Sequence, residues 1–182
     1  MNENSPVHTS QQGEGSYHVL ILEDDPAHVD MICTIFLRSQ DHFRISVARN
    51  ILEARRVIRN DPPHLILADW DLPDGKGIDL LPKKEGLVST PLIIMTGHGT
   101  EQIAVEMMKK GATDYIVKSE EVFRELPRIC ERAIRDWTNL VERKAAEKRA
   151  ENALLRYRQV TESINASISC YDLNGTILYL NT

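Results

Sequence analysis

Apolar and polar positions alternate along this chain in blocks, and the blocks change period. His18–Leu22 is almost wholly apolar, which predicts a short strand buried on both faces. Pro26 then opens a stretch with Val29, Ile32, Cys33 and Phe36 at helical spacing. Phe43–Val47 alternates as a strand does. Asn50 stands where a helix cap belongs, ahead of a helix through about Arg59, and Asp61-Pro62-Pro63 stops it. The cycle repeats with a strand at His64–Ala68 ending on Asp69, a loop at Leu72–Gly75, and a short helix at about Ile78–Lys84. A fourth strand runs over Pro91–Met95 and ends on Thr96. A Gly97–Gly99 loop leads to a helix over Glu101–Lys110. The fifth strand, Ala112–Val117, ends on Lys118, and a further helix starts near Glu120. Five strands alternating with five helices predict a doubly wound α/β domain with a parallel sheet.

The alternation ends there. From Leu126 to about Ile164 helix formers dominate, with no strong breaker after Pro127. Ala133, Trp137 and Leu140 fit one heptad register. Ala146, Ala150, Ala153, Tyr157, Val160 and Ile164 fit another, offset by about one residue. This predicts one long helix with a short, irregular coiled-coil seam; the alternative is a single solvated helix. Ser167–Tyr171 and Thr176–Leu180 flank Asp172-Leu173-Asn174-Gly175, a hairpin signal. Two strands bury no core alone, so the chain is expected to be a piece of a longer protein.

Composition narrows the class. The chain has 182 residues, 27% charged and 42% apolar, with a formal net charge of -5. No clustered basic surface points to nucleic acid. The residues before Ser16 are polar, lack a signal-peptide core and are expected to be a disordered tail. No apolar run approaches the ~18 residues of a membrane span. Cys33, Cys130 and Cys170 show no metal-ligand spacing and read as reduced thiols, as expected of a cytoplasmic protein.

Functional groups of an open parallel sheet collect at the carboxyl ends of its strands. Glu23, Asp24 and Asp25 follow the first strand, Asp69 the third, Thr96 the fourth and Lys118 the fifth. Carboxylates gathered this closely call for a hard cation, and oxygen ligands suit Mg²⁺. A carboxylate can attack phosphorus to form an acyl phosphate, with Lys118 and Thr96 as donors to the phosphoryl oxygens. Each residue also has a plainer reading. Asp24 and Asp25 could cap a helix, Asp69 could cap the following turn, Thr96 could bond the backbone, and Lys118 could lie on the surface. Tyr115 could be core packing, Trp70 and Trp137 packing residues, and His98 a loop residue.

Four segments then carry a family resemblance. Val19–Asp25 (VLILEDD), Leu65–Gly75 (LILADWDLPDG), Ile93–Gly97 (IIMTG) and Ala112–Lys118 (ATDYIVK) resemble a response-regulator receiver domain over about residues 16–137. The resemblance implies a flavodoxin-like sheet of order 2-1-3-4-5. It implies Asp69 as phospho-acceptor, Asp24 as direct metal ligand, Glu23 acting through water, and the backbone carbonyl of Asp71 on Mg²⁺. Thr96 and Lys118 would hold the phosphoryl group, and Tyr115 matches an aromatic switch position. The implied partner is a histidine kinase or phosphotransfer protein. Ser119 stands where the family usually has proline, so a trans or strained Lys118–Ser119 bond is expected.

Residues 138–164 then read as a linker helix that would pair two copies. Residues 165–182, with the end of that helix, resemble the entry to a PAS domain, as in the N-terminal part of a hybrid sensor histidine kinase. Two other functions remain open at this point. Asp69-Trp70-Asp71 is similar to the Asp-x-Asp of haloacid-dehalogenase-type phosphohydrolases, against which stand Leu72 and Pro73. A receiver used only for docking or dimerisation is the other.

Overall fold

The computed structural model describes residues 16–39, 43–81, 90–97, 101–163 and 169–180. Strand β1 (Tyr17–Leu22), helix α1 (Pro26–Leu37), strand β2 (Phe43–Ala48), helix α2 (Ile51–Asn60) and strand β3 (Leu65–Asp69) follow in turn. Strand β4 (Leu92–Thr96), helix α3 (Glu101–Lys109), strand β5 (Asp114–Val117) and helix α4 (Glu120–Ser163) complete the alternation, and β6 (Ser169–Tyr171) and β7 (Ile177–Leu180) form a hairpin. The first five strands make one parallel sheet in the order 2-1-3-4-5, the order expected.

Both faces of the sheet are covered, and its central strands carry runs of apolar residues that serve both. Leu20, Leu22, Ile66, Ala68 and Ile94 face one core, with Ala54 of α2 and Met107 of α3. Val19, Ile21, Leu65, Leu67, Ile93 and Met95 face the other, with Ile32 and Phe36 of α1 and Phe123, Leu126, Cys130 and Ile134 of α4. A pleated strand sends successive side chains to opposite faces, so a continuous apolar run is what two cores require.

Local chemistry sets the helix starts. Asn50 accepts from the Glu53 amide at 2.8 Å, while the Asp74 carboxylate accepts from the amides of Ile51 and Leu52 at 2.9 and 3.1 Å. With Ala54 bonded to the Asn50 carbonyl, the first four amides of α2 are all satisfied. Asp74 belongs to the loop after β3, so that loop is fastened to α2.

Three elements differ from expectation. The helix expected over Ile78–Lys84 is a 3₁₀ turn, Gly77–Leu80, with Pro82–Lys84 outside the described residues. Before it, Asp71–Leu72 and Gly75–Lys76 form a two-residue antiparallel ladder, and after it Leu81 is already extended. Strand β5 begins at Asp114 rather than Ala112. Gly111, at φ +98°, lets the Gly111 and Ala112 amides turn back onto the carbonyls of Met108 and Met107 and close α3.

Helix α4 runs unbroken for 44 residues through Pro127, where one amide is missing from the ladder. Contacts divide the chain into two units, one ending at Asp136 and the other beginning at Trp137. In the hairpin, Asp172 Oδ1 accepts from the Asn174 and Thr176 amides at 2.9 and 2.8 Å, and Gly175 sits at φ +83°. The turn is therefore an Asp172-centred loop, wider than a two-residue Asn-Gly turn. Ile164, the last residue of the expected seam, and Gly97–Gly99 beyond its first residue lie outside the described residues.

At the amino end of the sheet His18 is fully buried. Its Nε2 lies 2.8 Å from Ser46 Oγ, and its Nδ1 lies 3.7 Å from Asp61, which pairs with Arg44. Burial, then the Arg44 charge, push the imidazole below its usual pKa of 6.5, and Asp61 only partly opposes them. The unfolded chain thus binds this proton more readily. The stabilising contribution is present above pH 6.5 and is lost as pH falls below it. Thermal unfolding of wild type and His18→Gln between pH 7.5 and 5 is expected to show a shallower loss in the variant; equal slopes would remove His18 from the acid response.

Candidate functional site

The carboxyl ends of β1, β3 and β5 converge on one set of charges. Glu23 is fully buried and directly follows β1, while its amide bonds the Ala48 carbonyl at the end of β2. Asp69 ends β3. Lys118 directly follows β5, and its amide bonds the Thr96 carbonyl at 2.8 Å. The Lys118 ammonium lies 2.7 Å from Glu23 Oε2 and 2.9 Å from Asp69 Oδ2, with side-chain exposures of 9%, 1% and 13% for lysine, glutamate and aspartate. A cation so enclosed is held by its partners. Burial disfavours the ammonium, yet the hydrogen bonds from Lys118 to Glu23 and Asp69 outweigh it and raise its pKa. For Glu23, burial raises the carboxyl pKa and the Asp69 charge adds to this, against the Lys118 hydrogen bond.

The acidic run after β1 divides its work. Asp25 caps α1, its Oδ1 accepting from the Ala27 amide at 2.8 Å. Asp24 instead joins Glu23 and Asp69, each of the three offering an oxygen within 4.8 Å of the others. Helix capping therefore explains Asp25 but not Asp24. Three carboxylates against one ammonium leave an excess of negative charge, and an all-oxygen donor set is the chemistry that hard divalent cations select. The residues fit a Mg²⁺-type ion on that ground.

The remaining expected residues fall around this cluster. Thr96 is 4% exposed and ends β4, one residue beyond Met95, the partner of Asp69 in the sheet. Asp71 opens the short ladder, and its exposed carboxylate pairs with Lys76, whose ammonium lies 5.1 Å from the Trp70 ring centre. Its side chain is thus turned to Lys76. The loop lies tight on β3: a Cβ at Gly77 would come within 2.2 Å of the Asp69 carbonyl oxygen, so only glycine fits. Tyr115 is half-buried against the Leu20–Ile94 core, paired in register with Ile94. That packing is consistent with its plainer reading.

Near the site, the place of His28 and the capping role of Ser119 were not legible beforehand. His28 Nδ1 lies 3.3 Å from Glu23 Oε1 and 3.4 Å from Lys118 Nζ, and its ring meets Phe123 edge-on with centres 6.0 Å apart. Its position three residues after the capping Asp25, on the turn facing Glu23, is the only sequence sign. Ser119 serves as the cap of α4, its Oγ accepting from the Val122 amide at 3.2 Å and its carbonyl from Phe123 at 2.9 Å. No cis peptide occurs among the described residues, so the Lys118–Ser119 bond is trans.

The chain is similar to known proteins. Residues 19–128 match the family model of the response regulator receiver domain. The chain is 42% identical over 135 residues to the methanogenesis regulatory protein FilR1 of Methanothrix harundinacea, covering 72% of this chain and 30% of that protein. It is 33% identical over 103 residues to the phosphate regulon transcriptional regulatory protein PhoB of Escherichia coli, covering 55% of this chain and 44% of that one. The chain thus spans less than half the length of both. Among solved structures, a CheY-like receiver domain protein from Methanospirillum hungatei superposes with a TM-score of 0.58 at 26% identity, over 68% of this chain and 98% of that one. The receiver domain of a signal transduction histidine kinase from Syntrophus aciditrophicus gives 0.56 at 25% identity, over 66% and 92%.

Replacing Lys118 by methionine leaves Glu23 and Asp69 facing each other without a cation. Urea unfolding of Lys118→Met in metal-free buffer is expected to show a loss of about 2–4 kcal/mol. A loss below about 0.5 kcal/mol, the level of an ordinary surface change, would mean the ammonium contributes nothing to the fold.

Proposed function

This chain belongs to the response regulator receiver domain family, and on that premise we propose that Asp69 accepts a phosphoryl group from a phosphohistidine. The observation that carries the reading is the meeting of Glu23 and Asp69 at one lysine, with Asp24 beside the two carboxylates, at the carboxyl edge of a parallel sheet. A carboxylate oxygen of Asp69 attacks phosphorus in line, the P–N bond breaks, and the departing imidazole nitrogen keeps the electron pair. Asp24, Asp69 and the Asp71 carbonyl would hold Mg²⁺, with Glu23 acting through water. The ion supplies neutralisation of charge on the phosphoryl oxygens. Lys118 exchanges one carboxylate partner for the phosphoryl group, and the Thr96 hydroxyl donates to it. Tyr115 takes the switch role as β5 adjusts.

A histidine kinase or phosphotransfer protein is the implied donor. The signal leaves through α4, whose Leu154, Leu155, Tyr157 and Val160 are about half exposed and suit pairing of two copies. The β6–β7 hairpin supports a PAS-like start, and with it a hybrid kinase parent. No helix among the described residues is long and apolar enough to cross a membrane, and a cytoplasmic setting fits this reading. A phosphohydrolase of the haloacid-dehalogenase type is not favoured: its second aspartate would act as general acid, whereas the Asp71 carboxylate pairs with Lys76.

Intact mass after incubation with acetyl phosphate and Mg²⁺ tests the acceptor. Wild type is expected to gain one phosphoryl group, lost on metal removal and in Asp69→Asn. A gain that persists in Asp69→Asn would move the acceptor elsewhere. In thermal unfolding without phosphodonor, Mg²⁺ is expected to stabilise wild type but not Asp24→Asn; equal shifts would remove Asp24 from the metal site.

A further inference from the structure

Resting on the reading of Asp69 and Lys118 as the phosphorylation pocket, we propose that His28 is a positioning residue for Lys118, holding its ammonium through Nδ1 and tying it to the first turn of α4 through Phe123. The ammonium carries three protons. Glu23 Oε2 and Asp69 Oδ2 take two, at 2.7 and 2.9 Å, and His28 Nδ1 stands at 3.4 Å as the third acceptor. Nδ1 also lies 3.3 Å from Glu23 Oε1 and 3.6 Å from Asp25 Oδ2, and one ring nitrogen cannot both accept from the lysine and donate to a carboxylate. An N–H at Nδ1 would serve Glu23 or Asp25, so the acceptor role toward Lys118 is the tautomer that the proposal assigns. A ring protonated only at Nε2 turns the Nδ1 lone pair to Lys118 instead, facing a Glu23 carboxylate whose charge the same ammonium already offsets.

The same ring also reaches α4. Phe123 is 3% exposed, sits in the first turn of α4 and bonds the carbonyl of Ser119, the residue after Lys118. Lys118 is therefore joined to that turn twice, along the chain through Ser119 and through space by His28 and Phe123. A lysine drawn to a new charge on Asp69 leaves His28 without its donor, and the ring that packs on Phe123 is free to turn. The Asp25 cap fixes where His28 starts from, because it sets the first turn of α1.

Two variants separate the two contacts. His28→Phe keeps a ring against Phe123 and removes the acceptor; His28→Asn keeps a short-chain acceptor and removes the ring. In metal-free ¹⁵N-labelled protein, exchange of the Lys118 ammonium protons with water is expected to quicken roughly three- to tenfold in His28→Phe and to stay within about twofold of wild type in His28→Asn. Amide exchange at Phe123 is expected to show the reverse order. Lys118 exchange unchanged in His28→Phe, or equally fast in both variants, would overturn the proposal; His28→Gln, with its longer amide, replaces His28→Asn if that variant does not fold. These readouts need neither metal nor phosphodonor. Absence of phosphoryl gain in wild type would count against the Asp69 reading alone.

Discussion

Lys118 lies between two carboxylates that would otherwise repel, and each arrives on a different strand. Glu23 follows β1, Asp69 ends β3 and the lysine follows β5. The three strands are not neighbours throughout: β4 lies between β3 and β5. The charge cluster therefore exists only when β1, β3, β4 and β5 are assembled in register. Misplacing β5 by one residue would turn the lysine to the opposite face and leave two enclosed carboxylates without a cation. The apolar cores make the sheet stable, and the charges make one register of it usable.

The fold was legible because a parallel sheet buried on both faces prints unbroken apolar runs, and the residue after each run is the one at the sheet's carboxyl edge. Asp69, Thr96 and Lys118 could be placed that way without knowing any contact. What stayed hidden was pairing between distant elements. Which of Asp24 and Asp25 caps a helix depends on how the chain leaves β1, and both have the same chemistry. His28 meets Lys118 across 90 positions, and Asp74 meets the amides of α2 across 22 or 23. No periodicity encodes such contacts. The helix after β3 is shorter than its sequence suggests for a related reason: the chain from Asp71 to Lys76 pairs as a ladder first, and the turn that follows ends at Leu80.

Ser119 shows how a departure from a family pattern can be absorbed locally. A proline there would offer no amide and a fixed φ. Serine instead supplies a hydroxyl to the Val122 amide and begins α4 as a cap. The transition from β5 to α4 is thereby made by side-chain hydrogen bonding rather than by ring geometry, and Lys118 keeps its place.

The Asp74 carboxylate bears on dynamics as well as on helix capping. It sits in the loop that begins two residues past Asp69, yet it satisfies the first amides of α2. Opening that loop strips the helix start of two hydrogen bonds, and fraying the helix releases the loop. The two segments thus form one cooperative unit of local unfolding, with a shared opening free energy. The mobility available to the backbone beside Asp69 is consequently set by a helix on the flank of the sheet, well away from the charges it serves.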